Sequence, residues 1–412
     1  MTTHGEPVVN DVLAGIKVLE VAAWTFVPAA GAVLAEWGAE VVKVEPRDGG
    51  DPQRGLVSSG LIPRGAGGVN YIIEVPNRGK KSIGIDLSTA PGREVLYRLA
   101  ATSDVFLTNH LPAARRKLGI DVDDIRAVNP DIIYVRGSAH GPNGRDADSP
   151  GYDGVSYWSR GGIAYALTGA ERPPVTPRPA FGDVMGGLTI AGGVAAALFK
   201  RQRTGTPSVL DVSLLGLAAW NLGPDITSAK LYDRNPEPSH DRRTLPNPLV
   251  NNYRTKDGRW ITLMMLQMGR FFDEVMQLLG LHHLLTDEHF ADDVSRYRNR
   301  ADIVDALDEV FASRTLADWT VALQPLSGAW SVLQTPMELH DDDAVIANGY
   351  IPQVTATSGA QFGMPVNPVQ FDGVQVVPAG APEHGQHTEE LLLEAGVGWD
   401  EIERYKESGA IL

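Results

Sequence analysis

A chain of 412 residues, 43% hydrophobic and 21% charged, is long enough for two or three domains with full cores and has the balance of a soluble globular protein. Its formal charge of −15 argues against nucleic acid or an anionic membrane as a partner, because both call for a basic surface. The absence of cysteine excludes disulfides, thiolate metal sites and cysteine nucleophiles, so any covalent catalysis must use oxygen or nitrogen.

The polar start MTTHGEPVVNDV lacks the basic and apolar regions of a secretory signal, and no run reaches about 18 uninterrupted apolar residues, which reads as cytoplasmic. Residues 16–45 read as a βαβ unit: a strand from Ile16 to Val21, a helix opening at Pro28 and a second strand from Glu40 to Val44. The loop through Trp24, Thr25 and Phe26 then falls at the carboxyl end of a parallel strand, where open α/β sheets bind ligands. No Gly-x-Gly-x-x-Gly follows, which disfavours a nicotinamide cofactor. Strands at 82–87, 104–108 and 132–136, with a helix at 91–101, continue a parallel α/β rhythm. Arg47, Arg54, Arg78, Lys80, Lys81, Arg115, Arg116 and Lys117 gather near the strand ends, where they are candidates to hold phosphates.

Residues 140–160 read as a long ordered loop and 162–182 as an extended segment that delivers the chain to Asp183. A helix follows over 184–203, with Asp183 expected at its N-cap, accepting first-turn N–H groups and favoured in its ionised form. Gly182, Gly186 and Gly187 are expected to leave room for a bulky ligand. After a strand at 208–212 and a helix at 213–222, residues 223–250 read as a linker. A small domain is expected over 251–336, opening with a hairpin at 252–266 turned by Lys256-Asp257-Gly258. Residues 337–350 read as a second linker, and 351–412 as a segment returning to the large domain and ending in two helices. His282, His283 and His289 lie close together without an acidic ligand pattern, so no metal site is expected.

Several of these stretches together resemble the class III CoA-transferases, which share their fold with α-methylacyl-CoA racemase. The matching residues are Leu13 to Glu20, Gly38 to Glu45, Asn77 to Ile83, Asn129 to Tyr134, Gly151-Tyr152-Asp153, Gly182-Asp183 and Val209 to Ser213, in order. The resemblance implies a Rossmann-like α/β large domain with a parallel sheet, a smaller inserted α+β domain, and a homodimer of interlocked rings. It also implies acyl-CoA and a carboxylic acid as substrates, no tightly bound cofactor, and Asp183 as the nucleophile that attacks the thioester.

Contacts to CoA carry over onto Thr25, Phe26, Arg47, Ile85, Asp86, Leu87, Asn109, His110, Leu111, Arg116 and Lys117, with Tyr152 and Asp153 along the thioester channel. The glycine-rich loop of the formyl-CoA enzyme is replaced by Leu263 to Gln267. This suggests a larger, apolar acyl group met by Trp24, Phe26, Tyr157, Trp158, Met264 and Met265. The racemase alternative requires a histidine where Tyr152 stands, and a phenol, which ionises near about pH 10, is a poor base at neutral pH. A CoA-binding protein without catalysis is the other alternative.

Overall fold

A computed structural model describes residues 7–238 and 240–412. The chain divides into two compact units, Met1–Pro236 with Asp342–Leu412, and Glu237–Asp341. The first unit opens with β1 (Lys17–Val21), α1 (Phe26–Glu36) and β2 (Glu40–Pro46), then short helices α2 (Arg54–Ser58) and α3 (Tyr71–Asn77). It continues with β3 (Lys81–Ile85), α4 (Ala90–Ala101), β4 (Val105–Thr108), α5 (Pro112–Leu118), α6 (Val122–Val128) and β5 (Ile133–Ser138). A π-helical turn (Gly154–Ser159), α7 (Ile163–Thr168), the long α8 (Phe181–Thr204) and β6 (Val209–Ser213) complete the sheet.

All six strands are parallel, in the order β3-β2-β1-β4-β5-β6, the doubly wound arrangement. Both faces are covered, which is why the strands read as almost continuous apolar runs. Alternate residues divide between two cores: Val105 and Leu107 pack with α1 and α8, while Phe106 packs with α4 and the carboxyl-terminal helices. Those last helices, Thr388–Glu394 and Trp399–Glu407, contribute Leu391, Leu392, Ile402 and Tyr405. The end of the chain lies along β3, with the Asp86 N–H donating to the Ala410 carbonyl at 2.8 Å and the Leu412 N–H to the Gly84 carbonyl at 3.0 Å.

Helix α8 packs on α1 through glycines. A Cβ on Gly187 would meet Ala29 Cβ at 2.5 Å, and one on Gly186 would meet the Phe26 ring at 2.3 Å. These glycines therefore set the approach of two helices; they do not hold space open for a ligand as expected. By length and composition α8 is also apolar enough to cross a membrane, and its glycine face is buried in the first core.

Several boundaries differ from the sequence reading. Helix α1 begins at Phe26, two residues before Pro28. The loop expected over 140–160 ends in the π-helical turn, and the extended segment 162–182 contains α7. Helix Gly223–Tyr232 occupies the first half of the expected linker 223–250, and helix Asp343–Asn348 lies within 337–350.

The second unit is a three-stranded antiparallel sheet of β7 (Val250–Arg254), β8 (Trp260–Met264) and β9 (Trp330–Val332), packed on helices that include Met268–Leu278 and Arg300–Phe311. The hairpin turns at Lys256-Asp257-Gly258, where Gly258 adopts φ +80°. Three residues with no alternation to mark them form β9, which the sequence left unread.

Candidate active site

The chain leaves β1 and β4, neighbours in the sheet, toward opposite sides, which opens a crevice at their carboxyl ends. A cleft of about 430 Å³ lies there, lined by Trp24 and Phe26 after β1, by Asn109, His110 and Leu111 after β4, and by Gly137 and Ser138 of β5. Tyr152 and Asp183 complete its wall. Trp24 has a left-handed backbone, φ +67°, a strained conformation for a residue with a Cβ. Its N–H donates to Asp51 Oδ1 at 3.2 Å, and its indole meets the Tyr152 ring edge-on at 5.6 Å.

Beneath this loop lies a buried charge network. Lys43, in the middle of β2, is fully buried and pairs with Asp51 at 2.9 Å and Glu20 at 3.2 Å, while donating to the Ala22 carbonyl at 2.9 Å. Lys80 donates to both oxygens of Glu20, at 2.9 and 2.7 Å. The network is anchored in the sheet and reaches the cleft only through backbone: Asp51 holds Trp24, and Lys43 holds the turn after β1.

Asp183 is the third residue of α8; Ala180, at φ +59°, precedes the helix. The carboxylate is therefore not the cap that the sequence suggested. That place is taken by Asp153, from the start of the π-helical turn, whose two oxygens each accept the Gly182 N–H at 3.2 Å. The Val184 N–H donates to the Ala180 carbonyl at 3.0 Å and the Gly182 N–H is held by Asp153, so two of the N–H groups expected to steady an oxyanion are engaged. Asp183 is half-buried and, among the described residues, accepts no hydrogen bond. Burial, and then the nearby charge of Asp153, push its carboxyl up to about 7, the reverse of the ionised state expected from the helix dipole.

Of the residues expected to meet CoA, Phe26, Asn109, His110, Leu111 and Tyr152 share the cleft with Asp183. Burial, and then the charges of Arg115 and Lys43, lower the His110 ring below the ordinary histidine value. The others lie outside the lining. Thr25 is buried and accepts from Gln53 Nε2 at 3.1 Å. Asp153 is only 7% exposed. Ile85 and Leu87 belong to the second core, and Asp86 Oδ1 accepts from the Ser88 N–H at 2.9 Å in the turn before α4.

Most of the basic residues expected to hold phosphate are spent in the fold. Arg54 pairs with Glu45 at 2.7 Å, Arg78 with Glu36 at 2.5 Å, Lys81 with Glu390 at 2.8 Å and Arg115 with Asp121 at 3.1 Å. Arg47 donates to the Ile411 carbonyl at 3.3 Å and pairs with Asp48. Arg116 and Lys117 remain exposed on α5, with no ion pair among the described residues.

Tyr157, Trp158 and Met265 are core residues rather than a pocket for an acyl chain. The sequence reading missed Arg136 and Asp211 on the cleft wall, joined by two 2.7 Å bonds. The only signal for them was a pair of opposite charges near the ends of two apolar strands, which nothing in the sequence shows to be neighbours. Among the described residues no three His, Asp or Glu side chains converge where a metal would sit.

The model for CoA-transferase family III matches residues 13–388. The chain is 31% identical to (R)-2-hydroxy-4-methylpentanoate CoA-transferase of Clostridioides difficile, over 97% of this chain and 99% of that one. It is 29% identical to cinnamoyl-CoA:phenyllactate CoA-transferase of Clostridium sporogenes, over 98% of each. The crystal structure of a CAIB/BAIF family protein from Brucella suis superposes with a TM-score of 0.81 at 26% identity, over 94% of this chain and 100% of that one. The unbroken match from the first strand to the carboxyl-terminal helices, on a doubly wound sheet with its cleft at the strand reversal, places this chain in CoA-transferase family III, as an enzyme that moves CoA from an acyl-CoA donor to a carboxylate acceptor.

Proposed function

We propose that Asp183 is the nucleophile and that transfer runs through covalent aspartyl intermediates. An Asp183 oxygen attacks the thioester carbonyl and expels CoA thiolate, leaving a mixed anhydride. The thiolate then attacks the aspartyl carbonyl, releasing the donor's carboxylate and leaving an aspartyl-CoA thioester. The acceptor carboxylate attacks that thioester, forming a second mixed anhydride and freeing the thiolate again. Attack of the thiolate on the acceptor's carbonyl gives the new acyl-CoA and restores Asp183. Overall one thioester is exchanged for another of similar energy by way of more reactive anhydrides, so the enzyme's task is to hold the partners together and keep water out.

The observation that carries this reading is a carboxylate on the cleft wall with no hydrogen-bond donor committed to it. Trp24, Phe26, Leu111 and Leu214 give the cleft a mainly apolar lining. Together with the names of the two relatives, this supports 2-hydroxy acids with branched or aromatic side chains, and their CoA thioesters, as the substrate class.

A homodimer belongs to the same reading. Phe199 on α8 and Trp220, Leu231 and Tyr232 beyond β6 are exposed apolar side chains, Trp220 at 83%. Such side chains are costly to leave in water and are suited to a second subunit. Sedimentation at the mass of one chain would remove this part. The chemistry is tested by incubation with an acyl-CoA, followed by hydroxylamine or borohydride trapping and mass spectrometry. A label on Asp183, absent from Asp183→Asn, is expected; transfer at an unchanged rate in a folded Asp183→Asn variant would overturn the mechanism.

A further inference from the structure

The free N–H groups at the start of a helix are strong anion partners. At the start of α8 part of this set is already taken, by a carboxylate other than the one in the cleft. Asp153 accepts the Gly182 N–H on both oxygens at 3.2 Å, and the Phe181 N–H faces the same group and favours its charged form. The fit is tight: a Cβ on Gly182 would lie 2.6 Å from Asp153 Oδ1 and 2.5 Å from the Tyr157 ring. One residue further along, Asp183 accepts no hydrogen bond among the described residues. A carboxylate wrapped in donors must shed them before its lone pair can attack, whereas a bare one need not.

We propose that Asp153 is a positioning residue, which occupies the donors at the start of α8 so that Asp183 stays bare and faces the cleft as a nucleophile. The inference rests on the reading of Asp183 as the nucleophile. Charged groups from other elements also face the cleft: His110 and Arg115 from the segment after β4, and Arg136 and Asp211 from β5 and β6. Arg136 and Asp211 answer each other through their 2.7 Å bonds, and Arg115 is paired with Asp121. Asp153, whose carboxyl is raised by burial, makes no ion pair among the described residues, and it acts on Asp183 both by withholding donors and by the charge it carries when ionised.

Two substitutions separate these actions. Asp153→Asn keeps an oxygen to accept the Gly182 N–H but loses the charge, and Asp153→Ala loses both. The wild type and both variants are incubated with the CoA thioesters of 2-hydroxy-4-methylpentanoate and phenyllactate and with cinnamoyl-CoA, and the hydroxylamine-trapped label on Asp183 is followed over time and across pH. Asp153→Ala should label roughly ten- to a hundredfold more slowly with little change in KM, because Asp183 turns to the vacated donors. Asp153→Asn should label within about threefold of the wild-type rate, with the acid limb of its pH profile moved to lower pH.

A labelled wild type together with Asp153→Ala labelling at the same rate would sink the positioning role alone. A wild type that takes no label would sink the nucleophile reading and this one with it. Should Asp153→Ala not fold, the rate of Asp153→Asn decides: labelling slowed about tenfold or more, although the acceptor for the Gly182 N–H is kept, overturns the proposal.

Discussion

Asn109 donates from Nδ2 to the Ala23 carbonyl at 2.6 Å and accepts the Ala23 N–H on Oδ1 at 3.1 Å, so one side chain clips together the carboxyl ends of β1 and β4. The strands diverge beyond this point, and no backbone ladder is left to join them. Asn109→Ala leaves two main-chain groups without partners at the edge of the cleft. The expected cost is about 1–3 kcal/mol in stability, with a several-fold rise in KM for the acyl-CoA and a smaller change in kcat. Asn109→Asp keeps the acceptor but sets a carboxylate against the Ala23 carbonyl, and should be no better. Steady-state kinetics with thermal melts checks both, and wild-type KM in either variant would contradict the clip.

The protonation of Asp183 gives a pH signature. With its carboxyl pushed up to about 7, the proposed nucleophile is ionised above that pH and protonated below it. The rate of label formation should therefore rise through an acid limb near neutrality and level off above it. An acid limb at the ordinary carboxylate value, near about pH 4, would contradict the buried and unpartnered placement of Asp183.

The contact between α1 and α8 is sensitive to a single methyl group. A Cβ at Gly187 falls 2.5 Å from Ala29 Cβ and 2.9 Å from the Ala29 carbonyl carbon, and main chain cannot move aside as a flexible side-chain tip would. Gly187→Ala should destabilise by about 1–3 kcal/mol despite the better helix propensity of alanine. It should also slow labelling, because α8 carries Asp183. A variant as stable as the wild type in urea unfolding would show that the helices have room to part.

Acid should weaken the first unit through Glu45. Burial raises this carboxyl, but the hydrogen bond and charge of Arg54 outweigh burial and hold it at about 2. The folded value lies below the unfolded one, so this stabilisation is complete above about pH 4.5 and is lost as pH falls through 4.5 toward 2, on the order of 3 kcal/mol in all. Arg54→Met leaves Glu45 buried with a lost partner, at a cost of about 3–5 kcal/mol near neutral pH. The variant should also lose less than the wild type between pH 5 and pH 3. Urea midpoints measured across that range test both signs.

Much of the fold could be read from the chain. A parallel sheet covered on both faces imposes long apolar strands, and β1, β2, β4 and β5 were each placed to within a residue or two on that ground alone. The site was readable as a set of local motifs, among them the Trp24-Thr25-Phe26 loop after a strand and Gly182-Asp183 before a long apolar helix. These are short-range signals, carried by neighbours in sequence, and it was their ordered resemblance to the class III CoA-transferases that singled out Asp183 as the candidate.

What tertiary structure decided was which groups spend their charge on one another. Lys43, Lys80, Arg54 and Arg78 are cations of the same kind as Arg116 and Lys117 in the sequence, yet the first four are consumed by Glu20, Asp51, Glu45 and Glu36 while the last two remain exposed. In the same way, Asp153 and Asp183 each stand beside a glycine in the sequence, and only the fold gives the helix donors to the first and leaves the second bare. The physical reason is range. Hydrophobic periodicity is written along the chain, whereas these hydrogen bonds and ion pairs join residues from 9 or fewer to 60 positions apart, once packing has fixed which of them meet.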